Sequence, residues 1–124
     1  KYAYDPLFLT ALIVTESSFY NWAESDHGAL GLMQIRPGTG IVLASETQMR
    51  WEGIPSLYNP GVNIALGAYY LSKLVSRYGD LGLALEAYNY GPTKLDGYLR
   101  SGHRPQVYSK RVLALYNDLR TQAI

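Results

Sequence analysis

The sequence predicts a mainly α-helical domain of several short helices, with at most a minor β-hairpin. Three features carry that prediction. Apolar residues recur at intervals of three and four rather than two. An Asp or Asn followed by proline marks helix starts at Asp5-Pro6 and Asn59-Pro60. Glycine and proline punctuate the chain between the periodic stretches.

Taken in order, Asp5-Pro6 opens a first helix running from Leu7 to about Tyr20, with Leu9, Leu12 and Ile13 on one side. A Gly-containing loop from Asn21 to Gly31 follows, and any hairpin belongs between Asn21 and Leu32. Leu32 to Ile35 is a short apolar segment interrupted by Pro37 and Gly38, and Thr39 to Met49 reads as a second helix. Gly53 to Tyr58 looks irregular. Asn59-Pro60 then starts a helix carrying Val62, Ala65, Leu66, Tyr69 and Leu74, which should stop at Gly79. Asp80 caps the next, Leu81 to about Asn89, which Gly91-Pro92 ends. A short helix spans Thr93 to Arg100. The last begins at Pro105, with Tyr108, Val112, Leu115, Tyr116 and Leu119 along one face.

A chain of 124 residues fits one domain, so residues 1–124 read as a single unit able to bury its own core. Its formal net charge of +1, with no basic run longer than Lys110-Arg111, gives no sign of nucleic-acid binding. Cysteine is absent, which removes disulfides, thiol nucleophiles and thiolate metal sites. His27 and His103 are isolated, so no metal or other cofactor is expected. No apolar run is long enough to span a bilayer. The opening at Lys1-Tyr2-Ala3 leads us to expect a targeting segment outside these residues. Tyrosine, at 12 residues, offers flat apolar faces with hydroxyls attached, a chemistry suited to sugars or to lining a small core.

Glu16 stands out. Positions 9, 12, 13 and 16 share one side of the first helix, so an apolar stripe ends on a carboxylate. Desolvation there favours the protonated form, as a general acid requires; the alternative is a helix-end carboxylate reaching water or an arginine. Around it stand Glu16-Ser17-Ser18-Phe19, Ser25, and Gly28-Ala29-Leu30-Gly31-Leu32-Met33-Gln34-Ile35-Arg36-Pro37. Asn59-Pro60, Asn63-Ile64, Gly67, Tyr70-Leu71, Ala87-Tyr88-Asn89, Gly91, Tyr108 and Arg111 to Tyr116 follow in order. This series closely resembles the SLT-type (family 1) lytic transglycosylases of the lysozyme superfamily, over about Pro6 to Tyr116.

The resemblance implies a lysozyme-like fold and a peptidoglycan substrate, cut at the β-1,4 bond between N-acetylmuramic acid and N-acetylglucosamine. It implies that Glu16 serves as the single general acid and base, and that a 1,6-anhydromuramic end is formed without consuming water. Ser25 would bond the Glu16 carboxylate or the muramoyl N-acetyl group, or else be a turn residue. Gln34 would direct its amide at the sugar, Tyr88 would contact Glu16, and Asn89 would bind sugar or brace its loop. Tyr108 would line the cleft or belong to the core. Met33 is expected to pack inside, and Gly28 and Gly31 to allow tight backbone geometry and close approach of glycan.

Three positions depart from the family pattern: Arg36, where an apolar residue is usual; Glu86, where a small one is; and Tyr90. Glu86 is expected to face solvent. Arg36 would bind a stem-peptide carboxylate if it faces the cleft. A hydrolytic muramidase would need a second carboxylate to position water, with Asp26 and Glu86 as candidates. An inactive glycan-binding or assembly module would share the fold, but retention of Glu16 with Ser25, Gln34, Tyr88 and Asn89 argues against it. The substrate implies a periplasmic or envelope location, with peptidoglycan strands as the partner and envelope or secretion-system proteins as further ones.

Overall fold

Each helix start signalled by an Asx residue is built as a side-chain cap. The computed structural model describes residues 2–122. Among them are a 3-10 turn (Tyr2–Tyr4) and seven α-helices: α1 Pro6–Ser17, α2 Pro37–Thr47, α3 Ile54–Leu57, α4 Pro60–Tyr78, α5 Leu81–Tyr90, α6 Pro92–Arg100 and α7 Val107–Gln122. Asp5 Oδ1 accepts the Leu7 N–H at 2.9 Å, Asn59 Oδ1 that of Val62 at 3.1 Å, and Asp80 Oδ1 that of Leu83 at 2.8 Å. Each bond satisfies a donor that has no partner inside its helix.

Several boundaries differ from the sequence reading. Helix α1 ends at Ser17 rather than Tyr20, because Ser18 and Phe19 take left-handed φ of 53° and 65°. Helix α2 starts at Pro37 instead of Thr39, proline being well suited to the first helical position. Residues 53–58 are not irregular throughout: Ile54–Leu57 form one helical turn, with the Ser56 hydroxyl accepting from Glu52 N–H at 2.8 Å. The last helix begins two residues after Pro105, at Val107. The hairpin reduces to two isolated antiparallel bridges, Glu24 with Leu30 and Leu30 with Ile35.

The chain packs as two compact units, Lys1–Ala11 with Tyr70–Ile124, and Leu12–Tyr69. In the first, α5 packs on both α6 and α7, and residues Ala84 to Tyr88 are buried along its length. Phe8 meets Tyr116 edge to face, with ring centroids 5.2 Å apart, and the Tyr116 hydroxyl donates to Asp5 Oδ2 at 2.6 Å. That bond holds the Asp5 carboxyl below its ordinary pKa. The Tyr78 hydroxyl donates to Asp96 Oδ1 at 2.7 Å, and Arg77 pairs with the same carboxylate. Desolvation, helped by that hydrogen bond, pushes Tyr78 up to about 12.

The second unit has a different centre. Leu12, Met33, Leu43, Leu57 and Leu66 are fully buried, and so is Asn63. Asn63 Oδ1 accepts Met33 N–H at 2.8 Å, while its Nδ2 donates to the carbonyls of Leu30 at 3.0 Å and Leu57 at 2.8 Å. Met33 therefore packs inside, as expected, above Gly67 of α4: a Cβ on Gly67 would stand 2.5 Å from the Met33 sulfur. The stripe expected on this helix is partly displaced. Ala65 is exposed, and the buried side runs through Asn63, Leu66 and Gly67, because a polar amide is the group that organises the loop above it.

Candidate active site

Glu16 lies in the last turn of α1, half-buried, at the end of a side whose Leu12 and Ile13 are buried. The helix stops one residue later, and the Ser17 hydroxyl donates to the Leu32 carbonyl at 2.8 Å. Two anchors thus fix this corner of the second unit: Ser17 ties the helix end to Leu32, and Asn63 holds Leu30 and Met33 on either side of it. Gly31 makes the arrangement feasible. Its φ is +79°, and a Cβ there would come within 2.3 Å of Asn63 Nδ2 and 2.5 Å of the Leu57 carbonyl. Gly28 also has positive φ, +81°, but faces open space.

Gln34 takes a left-handed φ of 52°, a strained conformation for a residue with a side chain. Its amide nitrogen donates to the carbonyls of Gly31 at 3.0 Å and Ala23 at 3.3 Å. Both donors are spent on backbone, which leaves the amide oxygen as the group able to accept. Ser25 behaves similarly in reverse. Its Oγ accepts from Ala29 N–H at 3.0 Å and His27 N–H at 3.3 Å, the local turn that was the structural alternative for this residue. With both lone pairs engaged, the hydroxyl proton is left to donate, which suits a carboxylate or carbonyl acceptor.

Tyr88, Asn89 and Tyr108 belong to the other unit. Tyr88 is buried near the end of α5 and stacks at a tilt on Tyr70, centroids 5.4 Å apart. Asn89 is exposed, while Tyr108, in the first turn of α7, is buried. Tyr90 is half-buried and meets Tyr98 edge to face. Arg36 is exposed and lines a shallow depression of about 480 Å³ with His27, Leu30, Ile54 and Tyr58. Glu86 does not face solvent. It is 1% exposed, and its Oε2 accepts the Ser109 N–H at 2.7 Å. The expectation failed because α5 is enclosed by two helices, leaving that position no route to water.

Sequence reasoning did not assign a role to Asn63 or to the Glu86–Ser109 contact. For Asn63 a signal existed: Asn63 and Gly67 are four apart, hence on one side of α4, an arrangement that places a hydrogen-bonding group beside a position without a side chain.

The model of the transglycosylase SLT domain family matches residues 1–109. The chain belongs to that family. SLT-domain relatives include the transglycosylase of Enterobacteria phage PRD1, 31% identical over 95% of this chain and 41% of its own length. The endo-type membrane-bound lytic murein transglycosylase A of Klebsiella pneumoniae is 44% identical over 56% of this chain and 36% of its own. This SLT domain also superposes on an inactive glutamate-to-glutamine mutant of lytic transglycosylase Slt from Pseudomonas aeruginosa, with a TM-score of 0.83 and 29% identity, covering 96% of the chain and 22% of the Slt protein. For the 70 kDa soluble lytic transglycosylase of Escherichia coli the corresponding values are 0.82, 26%, 96% and 22%. The lysozyme-like, mainly α fold is therefore established. The chain spans less than half the length of each of these relatives, and no helix among its described residues is long and apolar enough to cross a membrane.

Proposed function

We propose that this SLT domain is a peptidoglycan lytic transglycosylase with Glu16 as its single acid and base. The observation that carries the reading is the double anchoring of the Glu16 corner: Ser17 to Leu32, and Asn63 to Leu30 and Met33. Glu16 is half-buried, its neighbour Ser17 is tied to Leu32, and two residues further on Gln34 bears backbone strain of the kind that clusters at functional sites. Family membership and the inactive glutamate-to-glutamine form of a structural neighbour support the same assignment.

Glu16 protonates the oxygen of the β-1,4 bond as the N-acetylglucosamine leaves. As a carboxylate it then takes the proton of the muramoyl O6 hydroxyl, whose oxygen attacks the anomeric carbon and closes the 1,6-anhydro ring. The proton is returned to Glu16 and no water is consumed. The substrate's own N-acetyl group stabilises the cationic intermediate. Ser25 donates its free hydroxyl proton to the Glu16 carboxylate or to that N-acetyl carbonyl, and Gln34 accepts from the sugar through its amide oxygen. Tyr88, Asn89 and Tyr108 bind the glycan strand. Residues 1–124 act as one catalytic domain, and its place of work is the periplasm or envelope, where its substrate lies.

Hydrolysis would need water set by a second carboxylate. Glu86 is too deeply buried for that task, which leaves Asp26, an exposed loop residue.

The test is mass spectrometry of products from purified peptidoglycan treated with the domain and with Glu16→Gln. Anhydromuramic ends from the wild type, absent with the folded variant, are expected. Reducing muramic ends would overturn the transglycosylase assignment, and undiminished turnover by the variant would remove Glu16 from the mechanism.

A further inference from the structure

Helix α7 begins at Val107, so the N–H of Ser109 lies in its first turn, where no carbonyl of the same helix is available to it. Glu86, a turn before the end of α5, supplies the acceptor across the gap at 2.7 Å. The carboxylate is 1% exposed and its other oxygen, Oε1, is buried without a hydrogen-bond partner. A buried carboxyl group with only one of its oxygens satisfied costs stability, and such a group calls for an explanation. An apolar side chain of the same length would fill this space without that penalty.

The neighbours of the contact suggest the explanation. Asn89 is three residues after Glu86, one turn on along the same side of α5. Tyr108 immediately precedes Ser109. Both are glycan-binding residues in the reading above, on which this inference rests. We propose that Glu86 is a positioning residue for substrate: its bond to Ser109 fixes the first turn of α7 against the last turn of α5 and so sets Tyr108 and Asn89 at the spacing the glycan strand requires. The first turn of α7 has N–H groups without helical partners, and a carboxyl oxygen at this point supplies an acceptor for one of them. Glu86 touches no reacting atom. It acts through the helix start it holds.

The experiment compares Glu86→Met, which keeps length and volume but removes the acceptor, with Glu86→Gln, which retains one. Three readouts are taken on each folded protein: amide hydrogen exchange at Ser109, the Kd for soluble peptidoglycan glycan-strand fragments by calorimetry, and kcat and KM on the same fragments. For Glu86→Met, Ser109 exchange should accelerate at least about tenfold, and Kd and KM should rise about fivefold or more with kcat within about twofold. Glu86→Gln should recover most of both losses. A purely structural role would instead lower kcat through the folded fraction and leave Kd of the folded protein unchanged, and that result would overturn the proposal. So would unaltered Ser109 exchange in Glu86→Met, or Glu86→Gln as damaging as Glu86→Met. Should Glu86→Met not fold, Glu86→Asp retracts the oxygens by one methylene, keeps the carboxyl group, and carries the same expectations. Exchange and Kd need no turnover: a wild type that binds strands without cleaving them would refute the proposed activity and leave this inference standing.

Discussion

Asn63 and Glu86 are both buried polar side chains reaching across to backbone, one in each compact unit, and they are satisfied to different degrees. Asn63 uses its oxygen and its nitrogen in three bonds, to Met33, Leu30 and Leu57. Glu86 makes one bond, to Ser109, and buries a second oxygen without a partner. The difference follows from what each must hold. A loop that is only partly bonded within itself leaves some peptide groups without partners, and a neutral amide with donors and acceptor together can supply them. A helix start needs only an acceptor. The Leu12–Tyr69 unit is therefore organised around an amide, and the unit with α5 to α7 around helix-to-helix packing pinned by a carboxylate.

The contrast is broken most directly by removing the amide. Asn63→Leu keeps the volume but takes the amide bonds from Met33 N–H and the Leu57 carbonyl inside the protein, while the Leu30 carbonyl keeps its bond from Ile35 N–H. At about 1–3 kcal/mol for each buried group left unsatisfied, a loss of several kcal/mol is expected, read as a lower urea midpoint. A loss under about 1 kcal/mol would mean that water reaches these groups and that the hub is not closed. A smaller effect separates the two glycines of the same loop. Gly31→Ala combines a left-handed φ with a Cβ 2.3 Å from Asn63 Nδ2, whereas Gly28→Ala meets only the conformational penalty. The first should cost more than about 2 kcal/mol and the second roughly 1 kcal/mol, by denaturant titration. Equal losses would show that backbone conformation, not the approach to Asn63, fixes Gly31.

The three side-chain-capped helix starts were legible in the sequence, because a cap is a local event: Asp5, Asn59 and Asp80 each bond a residue two or three positions ahead. Helix ends were less legible. Nothing in Ser18-Phe19 announces left-handed backbone, since neither is glycine, and the turn there is tied down by the Ser17–Leu32 bond across 15 residues. The same distance in sequence hid the role of Asn63, whose partners lie 6 to 33 residues away. Glu86 was misplaced because charge predicts exposure only when the helix has an open side, and α5 has none at that position. Among the candidate site residues, Glu16 was singled out by its place at the end of an apolar stripe, and its catalytic role was assigned by resemblance. Ser25 and Gln34 were found by resemblance alone, and their bonds to backbone were not foreseeable from it.

In the helix-packed unit two further hydroxyl-to-carboxylate contacts sharpen the comparison, and they act at opposite ends of the pH scale. Asp5, depressed by the Tyr116 hydrogen bond, contributes stability that is present above its ordinary value near 3.8 and is lost as pH falls through its lower folded value. Tyr116→Phe should therefore lower the urea midpoint at pH 7 and converge on the wild type in strong acid; an equal gap at both pH values would mean that the hydroxyl contributes by packing alone.

Tyr78 gives the smaller effect, with the sign reversed. Its folded value of about 12 exceeds the ordinary 10.0, so between those limits the folded protein holds a proton that the unfolded chain has released. Its contribution is whole below pH 10 and declines as pH rises toward 12. Tyr78→Phe removes both the bond to Asp96 and this titration, leaving Arg77 paired with the carboxylate. The gap between wild type and variant in the urea midpoint should be present at pH 8 and narrow by pH 11. A constant gap would mean that the Tyr78 hydroxyl titrates alike in the folded and unfolded chains, and that its bond to Asp96 adds nothing to holding α4 against α6.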